Sequence, residues 1–320
     1  MKHITPQISI LMPVYNTAPY LREAMDSILS QTFDDFELIV LDDCTPDESP
    51  SILDSYTDPR IIRYRGEKNV GLANVLNVGM DMARGKYIAR MDSDDISLPN
   101  RLQIQYDYLE THPQTDLVSV GMQQFGADNR IMRYDNTTED IKFNALFFSP
   151  ILHASSMWRR ERFATLRFEQ DHVPAEDYRM WTRALASGLQ MRNLPEILYR
   201  YRMHTAQATN QSERVIHAEG KVRTAYMRHI FPSAKEEQIS QWNNIRLWAE
   251  TDPDAMLACF EEMELCNQTN FFFDPNYFHR RYLRHYQAAL YNLMRTKGIQ
   301  WSHLSRLRLP QIVKLILKKR

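Results

Sequence analysis

Three carboxylates lie within four positions at the end of the stretch YIARMDSDD, residues 87–95. They belong to Asp92, Asp94 and Asp95, and a strand-like apolar run precedes them. Like charges this close repel one another, so one carboxylate should keep its proton at neutral pH unless a cation lies among them. A solvated turn explains the cluster, because aspartate and serine favour turns. A divalent metal ion also explains it, because hard cations prefer carboxylate oxygens.

The spacing of Asp92 and Asp94 favours a metal site. If the strand continues through them, side chains two positions apart point to the same side, and both carboxylates can share one ion. Such an ion keeps water and substrate phosphate oxygens in its other positions. The chemistry would then be the departure of a diphosphate whose developing charge the metal neutralises. Asp95 lies outside this pair, and we expect its loss to cost less than the loss of Asp94.

Alternating strand-like and helix-like segments must position these acids. Apolar runs occur at ISILMPVY, FELIVLDD, RIIRYRGE and KYIARMDSDD, and helical patterns occur between them at YLREAMDSILSQ, SILDSY and GLANVLNVGMDMARG. This order predicts a parallel sheet with helices on both faces. In such a sheet, ligands bind beyond the carboxyl ends of the strands. Tyr15–Asn16, Asp42–Asp43 and Asp92–Asp95 each follow a strand, so we expect them to meet at one edge of the sheet.

The rest of the chain divides into a mixed part and a helical part. Up to about residue 212, helices are predicted at PNRLQIQYDYLETH and AEDYRMWTRALASG, and strands at DLVSVGM, HASSMWRRE and RNLPEILYRYRMH. A hairpin or an excursion of the chain is predicted around Asp128–Asn129. Beyond that point the patterns are helical. The segment SAKEEQISQWNNIRLWAE opens with a predicted capping box from Ser233 to Glu236, and Asp252 is a predicted cap of the next helix.

Composition excludes several functional classes. The net charge of −1 gives no reason to expect nucleic acid as a partner. No apolar run approaches the ~20 residues that span a bilayer, and the N-terminus does not read as a signal peptide. The three cysteines, Cys44, Cys259 and Cys266, show no zinc-like pairing. We therefore expect a protein of the reducing cytoplasm.

Four separated blocks resemble, in order and spacing, the family-2 inverting glycosyltransferases of the GT-A fold. They are ISILMPVYN, SILSQTFDDFELIVLDDCTPDES, NVGLANVLNVGMDMARGKYIARMDSDD and AEDYRMWTRAL, and they cover roughly the first 210 residues. The resemblance implies an α/β fold with a Rossmann-like, mostly parallel sheet flanked by helices. It implies a domain over residues 1–212, with a nucleotide-sugar half (about 1–100) and an acceptor half (about 101–212), followed by a helical region over 213–320.

The resemblance also assigns the donor site. Pro13, Val14 and Tyr15 would line the nucleotide-base pocket, with Tyr15 near the base or its ribose. Asp43 would accept a hydrogen bond from the base. From the residues alone, Tyr15 could equally be a packed aromatic side chain, and Asp42 is better explained as a cap of its strand end. Many relatives carry an arginine where Leu76 stands, which weakens any role of that helix in binding a diphosphate.

By the same resemblance, Asp92 and Ser93 would contact the donor and Asp94 would be the main ligand of a Mn²⁺ or Mg²⁺ ion, with Asp92 sharing it. His204 could reach the metal or a phosphate, with Arg202 beside it, or be purely structural.

Asp177 would be the base that deprotonates the acceptor hydroxyl. A helix N-terminus lowers the pKa of a carboxyl group, so burial would have to raise it again. Glu176 is its nearest competitor. His153 could lie near the acceptor, although packing explains it as well.

These observations predict a metal-dependent, inverting glycosyltransferase of the hexosyl or N-acetylhexosaminyl type. The donor would be a nucleotide sugar, most simply UDP-linked. The acceptor would be a growing glycan or a lipid-linked oligosaccharide in polysaccharide or lipopolysaccharide synthesis. A sugar nucleotidylyltransferase should carry a glycine-rich basic loop after its first strand, and PVYNTAPY has neither glycine nor lysine. A non-catalytic nucleotide-sugar-binding or scaffold protein of the same fold is the alternative.

The C-terminal segment LRLPQIVKLILKKR is basic, contains several apolar residues and has no acid. It could hold the protein peripherally at the cytoplasmic face of a membrane. A helix end docked on the protein explains it equally well. Arg280, Arg281 and Arg284 lie further upstream and alternate with tyrosines, a pattern that a solvated helix face explains more simply than an anionic partner.

Overall fold

The computed structural model describes residues 5–134, 136–204 and 212–297. The chain divides into two compact units. One comprises the described residues within Met1–Ile141 and Ser149–Val222, and the other those within Lys142–Phe148 and Arg223–Arg320. A domain boundary at residue 212 stays a prediction. The segment 142–148 belongs with the second unit although the first unit surrounds it in sequence.

A nine-stranded mixed sheet forms the centre of the first unit. Its strands are β1 (Ile8–Val14), β2 (Phe36–Asp42), β3 (Ile61–Arg65), β4 (Tyr87–Arg90), β5 (Ile96–Ser97), β6 (Leu117–Gly126), β7 (Ile131–Met132), β8 (Met157–Arg159) and β9 (Met191–Met203). They lie in the order β3-β2-β1-β4-β8-β6-β9-β5, and β7 pairs with β6. The helices up to the end of this unit are α1 (Ala18–Leu29), α2 (Ser49–Asp54), α3 (Leu72–Met82), α4 (Arg101–Thr111), α5 (Thr138–Asn144), α6 (Glu176–Ala186) and α7 (Ser212–Ile230).

The first four strands form the parallel half of the sheet. β1 pairs in parallel with β2 and β4, and β2 pairs in parallel with β3. Every residue of β1 and β2 is buried, as expected for strands with both faces covered by helices. The predicted α/β class is confirmed. Beyond β4 the sheet becomes mixed, because β8 runs antiparallel to both β4 and β6.

The predicted strand over residues 86–95 is too long. β4 ends at Arg90, and residues 93–94 form a turn. The same-side geometry expected for a strand through Asp92 and Asp94 was therefore wrong, because the run Asp-Ser-Asp-Asp favours a turn over an extended chain. The predicted strand HASSMWRRE is also shorter, since His153–Ser155 is a 3₁₀ turn and only Met157–Arg159 is extended. The hairpin around Asp128–Asn129 is confirmed by the antiparallel pair β6 and β7.

The second unit is helical. It contains α8 (Glu236–Trp242), α9 (Ile245–Thr251), α10 (Pro253–Asn270) and α11 (Pro275–Lys297), together with parts of α5 and α7. The predicted single helix over residues 233–250 is divided into α8 and α9, and its cap is Lys235, so the predicted capping box at Ser233 is wrong. Asp252 caps α10 as predicted, because its carboxylate accepts a hydrogen bond from the Ala255 N–H at 3.1 Å. Among the described residues, no helix has the length and apolar character that crossing a bilayer requires.

Candidate active site

The three acids that follow β4 converge although they lie in a turn. Ligand atoms of Asp92, Asp94 and Asp95 all lie within 4.8 Å of one another. Asp95 is fully buried, and its Oδ2 has no hydrogen-bond partner among the described residues. A set of hard oxygen donors with an unpaired buried oxygen fits a Mg²⁺ or Mn²⁺ ion. Asp95 therefore belongs to the candidate metal site, although the sequence pattern had set it apart.

Arg90 supplies the cation that the carboxylate cluster requires. Its side chain is almost fully buried at the end of β4, and its Nη2 donates to Asp92 Oδ1 at 2.6 Å. Its Nη1 donates to the Met91 carbonyl. Burying a charge is costly unless it is paired, so this arginine and Asp92 stabilise each other. The remaining repulsion falls on the other two acids. Burial and the neighbouring Asp92 raise the pKa of Asp94, and the same causes raise that of Asp95 well above its usual value.

The end of β9 holds the turn that contains the three acids, residues 92–95, which we call the acid turn. The main-chain N–H of Arg202 donates to Asp95 Oδ1 at 2.7 Å, and the side-chain Nε of Arg202 donates to the Asp94 carbonyl at 2.7 Å. Its guanidinium group lies 4.8 Å from the Tyr20 ring centroid and forms an ion pair with Glu23 of α1. Arg202, which was expected only to lie beside His204, thus holds the acid turn in place.

His204 lies next to the main predicted metal ligand. Its Nε2 is 2.9 Å from Asp94 Oδ2, and its ring packs on Tyr20 with centroids 4.9 Å apart. An imidazole nitrogen and a carboxylate oxygen at this distance can bond to each other or share one ion. The structure brings this histidine to the acid turn from 110 positions away in sequence.

The loops after β1 and β2 lie beside the acid turn. Thr17 Oγ1 is 3.0 Å from Ser93 Oγ, which joins the loop after β1 to the turn after β4. The Asn16 N–H donates to Thr45 Oγ1 at 2.8 Å, which joins the loops after β1 and β2. Asn16 has a φ of 57°, a left-handed conformation that asparagine tolerates. The predicted convergence at the carboxyl edge of the sheet is therefore present in the structure.

The predicted base-pocket residues differ in what they expose. Tyr15 is 46% exposed, so it is not the packed aromatic that was the alternative. Pro13 and Val14 are buried, and Val14 belongs to the core, so neither exposes its side chain as Tyr15 does. Asp43 is also buried, and it accepts the Val70 and Gly71 N–H groups at 2.8 and 2.9 Å. It therefore anchors the start of α3.

The start of α6 places two acids together. Glu176 is 5% exposed, and Asp177 accepts a hydrogen bond from the Ser149 hydroxyl at 3.2 Å. Burial raises the pKa of Asp177 to about 6 and, together with the charge of Asp177, that of Glu176 to about 7. Burial therefore outweighs the helix dipole, and both groups can exchange protons near neutral pH. Arg90 and Asp92 also influence the pKa of Glu176, which brings this helix into electrostatic reach of the acid turn.

The structure also decides between alternatives for two residues. Asp42 caps its strand end as expected, because its Oδ1 accepts the Thr45 N–H at 2.8 Å. His153 packs against the rings of Phe168 and Trp181, with centroids 5.3 and 5.6 Å away. Burial lowers the pKa of His153 well below its usual value. It is therefore a neutral, packed side chain.

Sequence reasoning missed two residues that contact the acid turn, Arg90 at the end of β4 and Tyr199 on β9. Arg90 was visible in principle, because a charged residue inside an apolar strand and two positions before an acid suggests a buried ion pair. Tyr199 was not, because its hydroxyl reaches the Asp92 N–H at 3.1 Å across 107 positions of sequence. Such a contact depends on the pairing of β5 with β9, for which the sequence contains no signal.

Known proteins resemble this chain in sequence and in fold. A family model described as glycosyl transferase family 2 matches residues 9–183. The amylovoran biosynthesis glycosyltransferase AmsE of Erwinia amylovora is 30% identical over 201 residues, which are 61% of this chain and 75% of that protein. S. aureus TarS 1–349 in complex with UDP-GlcNAc has a similar fold, with a TM-score of 0.63 and 16% identity over 92% of this chain and 93% of that one. The mannosyltransferase PcManGT of Pyrobaculum calidifontis, in complex with GDP-Man and Mn²⁺, gives a TM-score of 0.51 and 20% identity over 98% and 88% of the two chains.

Proposed function

The chain belongs to glycosyl transferase family 2 and is a glycosyltransferase, and from this premise we propose that it transfers a sugar from a UDP-linked donor to a hydroxyl group of a growing glycan, with inversion. The observation that carries this proposal is the cluster of Asp92, Asp94 and Asp95 within 4.8 Å, at the edge where the loops after β1 and β2 meet the turn after β4. A nucleoside diphosphate with a divalent ion fits such an edge.

The donor would occupy the edge from the end of β2 to the acid turn. The exposed Tyr15 ring would pack on the base or ribose, with the buried Pro13 and Val14 forming the floor of the pocket beneath it. Each Asp43 oxygen that accepts a main-chain N–H has a second lone pair, which could receive a base N–H. Ser93 and Asp92 would contact the ribose and diphosphate side of the donor.

Asp94, Asp92 and His204 would hold a Mn²⁺ or Mg²⁺ ion. A bound divalent cation would neutralise the charge that develops on the leaving diphosphate. The presence of Mn²⁺ in the PcManGT complex supports an ion of this kind. Asp95 would add its buried, unpaired Oδ2 to this site, and Arg90 would support the ligands by pairing with Asp92.

Asp177 would act as the base. The acceptor hydroxyl oxygen attacks the anomeric carbon, the bond from that carbon to the diphosphate oxygen breaks with its electron pair, and the hydroxyl proton moves to an Asp177 oxygen. The direct displacement inverts the anomeric carbon. The Ser149 hydroxyl, which donates to Asp177, would orient the carboxylate. The attacking hydroxyl needs a base within hydrogen-bond reach, and the pKa of about 6 leaves Asp177 ionised at neutral pH.

We also propose the class of sugar and acceptor. The UDP-GlcNAc bound to TarS supports a hexosyl or N-acetylhexosaminyl donor, and the biosynthetic role in the name of AmsE supports a cell-surface polysaccharide or lipopolysaccharide as the product. The acceptor would be a glycan or a lipid-linked oligosaccharide. The enzyme would act in the cytoplasm, peripherally at the membrane. The basic segment 307–320, which would contribute to that contact, lies outside the described residues.

A calorimetric titration of UDP with and without Mn²⁺ tests the donor assignment. We expect wild-type protein to bind UDP more tightly with Mn²⁺ and Asp94→Ala to lose that dependence. Asp107→Ala, which removes an exposed acid on α4, is the control and should behave as wild type. An Asp94→Ala protein with unchanged Mn²⁺-dependent affinity would contradict the metal assignment. The same titration with GDP tests the base, and Mn²⁺-stimulated hydrolysis of UDP-GlcNAc would exclude a purely binding or scaffold role.

A further inference from the structure

The charges of this chain are divided very unequally along the sequence. Residues 275–320 contain eleven of the 39 lysines and arginines and none of the 40 acidic residues. The preceding 274 residues hold 28 basic and 40 acidic residues, and thus a formal charge of −12. The near-neutral total of −1 therefore hides a strongly basic C-terminal segment on an acidic protein. Such an asymmetry points to an anionic surface as its partner.

The described part of this segment, α11, presents its arginines on one side. Arg280, Arg284 and Arg295 are exposed. At 100° per residue they fall within one narrow arc of the helix, and Tyr291 falls in the same arc. The opposite side is apolar and buried, and includes the fully buried residues Phe278 and Leu290. The helix is therefore amphipathic, with a cationic outer face.

The three arginines of this face have no partner within the described residues. None of their side chains forms an ion pair, a hydrogen bond or a ring contact there, whereas the neighbouring Arg281 side chain lies 5.5 Å from the Phe143 ring centroid and also contacts Asn144. Many arginines elsewhere are paired in the protein, for example Arg63 with Asp54. Three unpaired guanidinium groups on one face of a helix can each bind an oxyanion from outside.

We propose that the arginine face of α11, defined as Arg280, Arg284 and Arg295, binds the anionic headgroups of a membrane surface. A membrane fits better than a nucleic acid because Tyr291 lies among the arginines and the sequence after α11 adds IVKLIL, a run that is apolar except for Lys314 and is followed by KKR. Basic residues combined with tyrosine and aliphatic residues are typical of segments at a lipid interface. The acidic remainder of the chain would be repelled by the same surface, so binding would depend on this face.

Vesicle flotation with the full-length protein tests the proposal. The vesicles contain either phosphatidylcholine alone or a 3:1 mixture of phosphatidylcholine and phosphatidylglycerol, at ~0.15 M salt where distant charges are screened. The test variant is Arg280→Gln/Arg284→Gln/Arg295→Gln. The matched control is Lys68→Gln/Lys221→Gln/Lys235→Gln, which removes the same charge from three exposed positions elsewhere. Each set is also made in a chain stopped before Leu309.

We expect wild-type protein and the lysine control to bind the mixed vesicles and to ignore the neutral ones. The arginine variant should bind about 100-fold more weakly, the combined effect of three basic residues at an anionic surface. The chain stopped before Leu309 should keep the part of the binding that depends on the three arginines. Equal binding by the arginine variant and the control would overturn the proposal. So would binding of a short DNA duplex, but not of vesicles, that depends on the same arginines.

Discussion

Burial makes the two acids at the start of α6 weaker acids than free aspartate and glutamate. The pKa of Asp177 rises to about 6 and that of Glu176 to about 7. Glu176 is the more buried, and its Oε2 has no hydrogen-bond partner among the described residues, whereas Asp177 is held by Ser149. An oriented carboxylate that is ionised at neutral pH is the better base, which favours Asp177 over its neighbour.

For Asp177→Asn we expect unchanged donor affinity and a loss of transfer of at least ~10²-fold, the scale of removing a general base. Glu176→Gln should slow the chemical step less. In the wild type, the rate should fall about tenfold per pH unit below pH 6, because a protonated Asp177 cannot accept the hydroxyl proton. The measurements are donor-binding isotherms and single-turnover rates between pH 5 and 8. Near wild-type transfer by Asp177→Asn, with an inactive Glu176→Gln, would identify Glu176 as the base.

Thermal unfolding separates this loss of rate from misfolding. Because folding raises the pKa of Asp177, its charged form destabilises the folded state above about pH 6, and the penalty disappears as the pH falls towards 4. At pH 7.5 the free energy of unfolding of Asp177→Asn should therefore equal that of wild type or exceed it by on the order of 1–3 kcal/mol. At pH 4.5 this advantage should be lost. A less stable variant at pH 7.5 would mean that the residue is mainly structural.

At the scale of elements, the sequence predicted the helices and strands of the parallel half well, and their meeting edge correctly. Alternating apolar runs and helical patterns predict a parallel sheet because few other folds accommodate them. The sequence could not predict that β4 stops at Arg90, since only the turn preference of the four polar residues 92–95 decides between a longer strand and a turn there. It could not predict the contribution of β9 either, because the contacts of Arg202 and His204 with the acid turn span more than a hundred positions.

The link between β9 and the acid turn can be tested with two arginines that share one ring. The guanidinium carbons of Arg200 and Arg202 each lie 4.4 Å from the Phe125 ring centroid, but the Arg202 side chain also bonds the Asp94 carbonyl. Arg202→Lys removes that bond and keeps the charge. We expect it to weaken Mn²⁺ binding about tenfold or more, the scale of one hydrogen bond from a charged group.

Mn²⁺ affinity can be measured on donor-free protein by the electron paramagnetic resonance signal of the free ion. Arg200→Lys, the matched control, should change this affinity less than about twofold, since a lysine can still lie over the Phe125 ring. Equal losses in the two variants would show that stacking on the ring, rather than support of the acid turn, controls the site.

At the scale of the whole molecule, the second unit includes a segment from the middle of the sequence. Phe143 and Phe147 are buried in it, with ring centroids 5.6 and 6.0 Å from that of Phe260 on α10. Phe147 also packs on His285 of α11 at 4.7 Å. No composition change marks residues 142–148, so the pattern-based boundary at residue 212 had no means of assigning them. The fold of the C-terminal helices therefore depends on aromatic side chains that lie far upstream.

This arrangement predicts how the chain responds to shortening. A chain stopped after Val222 keeps Phe143 and Phe147 but loses Phe260, Phe278 and His285, against which they pack. Two exposed phenylalanines on one short segment form an apolar patch, so we expect the shortened protein to self-associate in size-exclusion chromatography.

The double substitution Phe143→Ser/Phe147→Ser tests this explanation and should restore a monomer in the shortened chain. In the full-length chain the same pair should lower the melting temperature markedly, because losing a buried phenylalanine costs ~3–5 kcal/mol. A monomeric, folded chain ending at Val222 without these substitutions would show that the segment does not need the C-terminal helices.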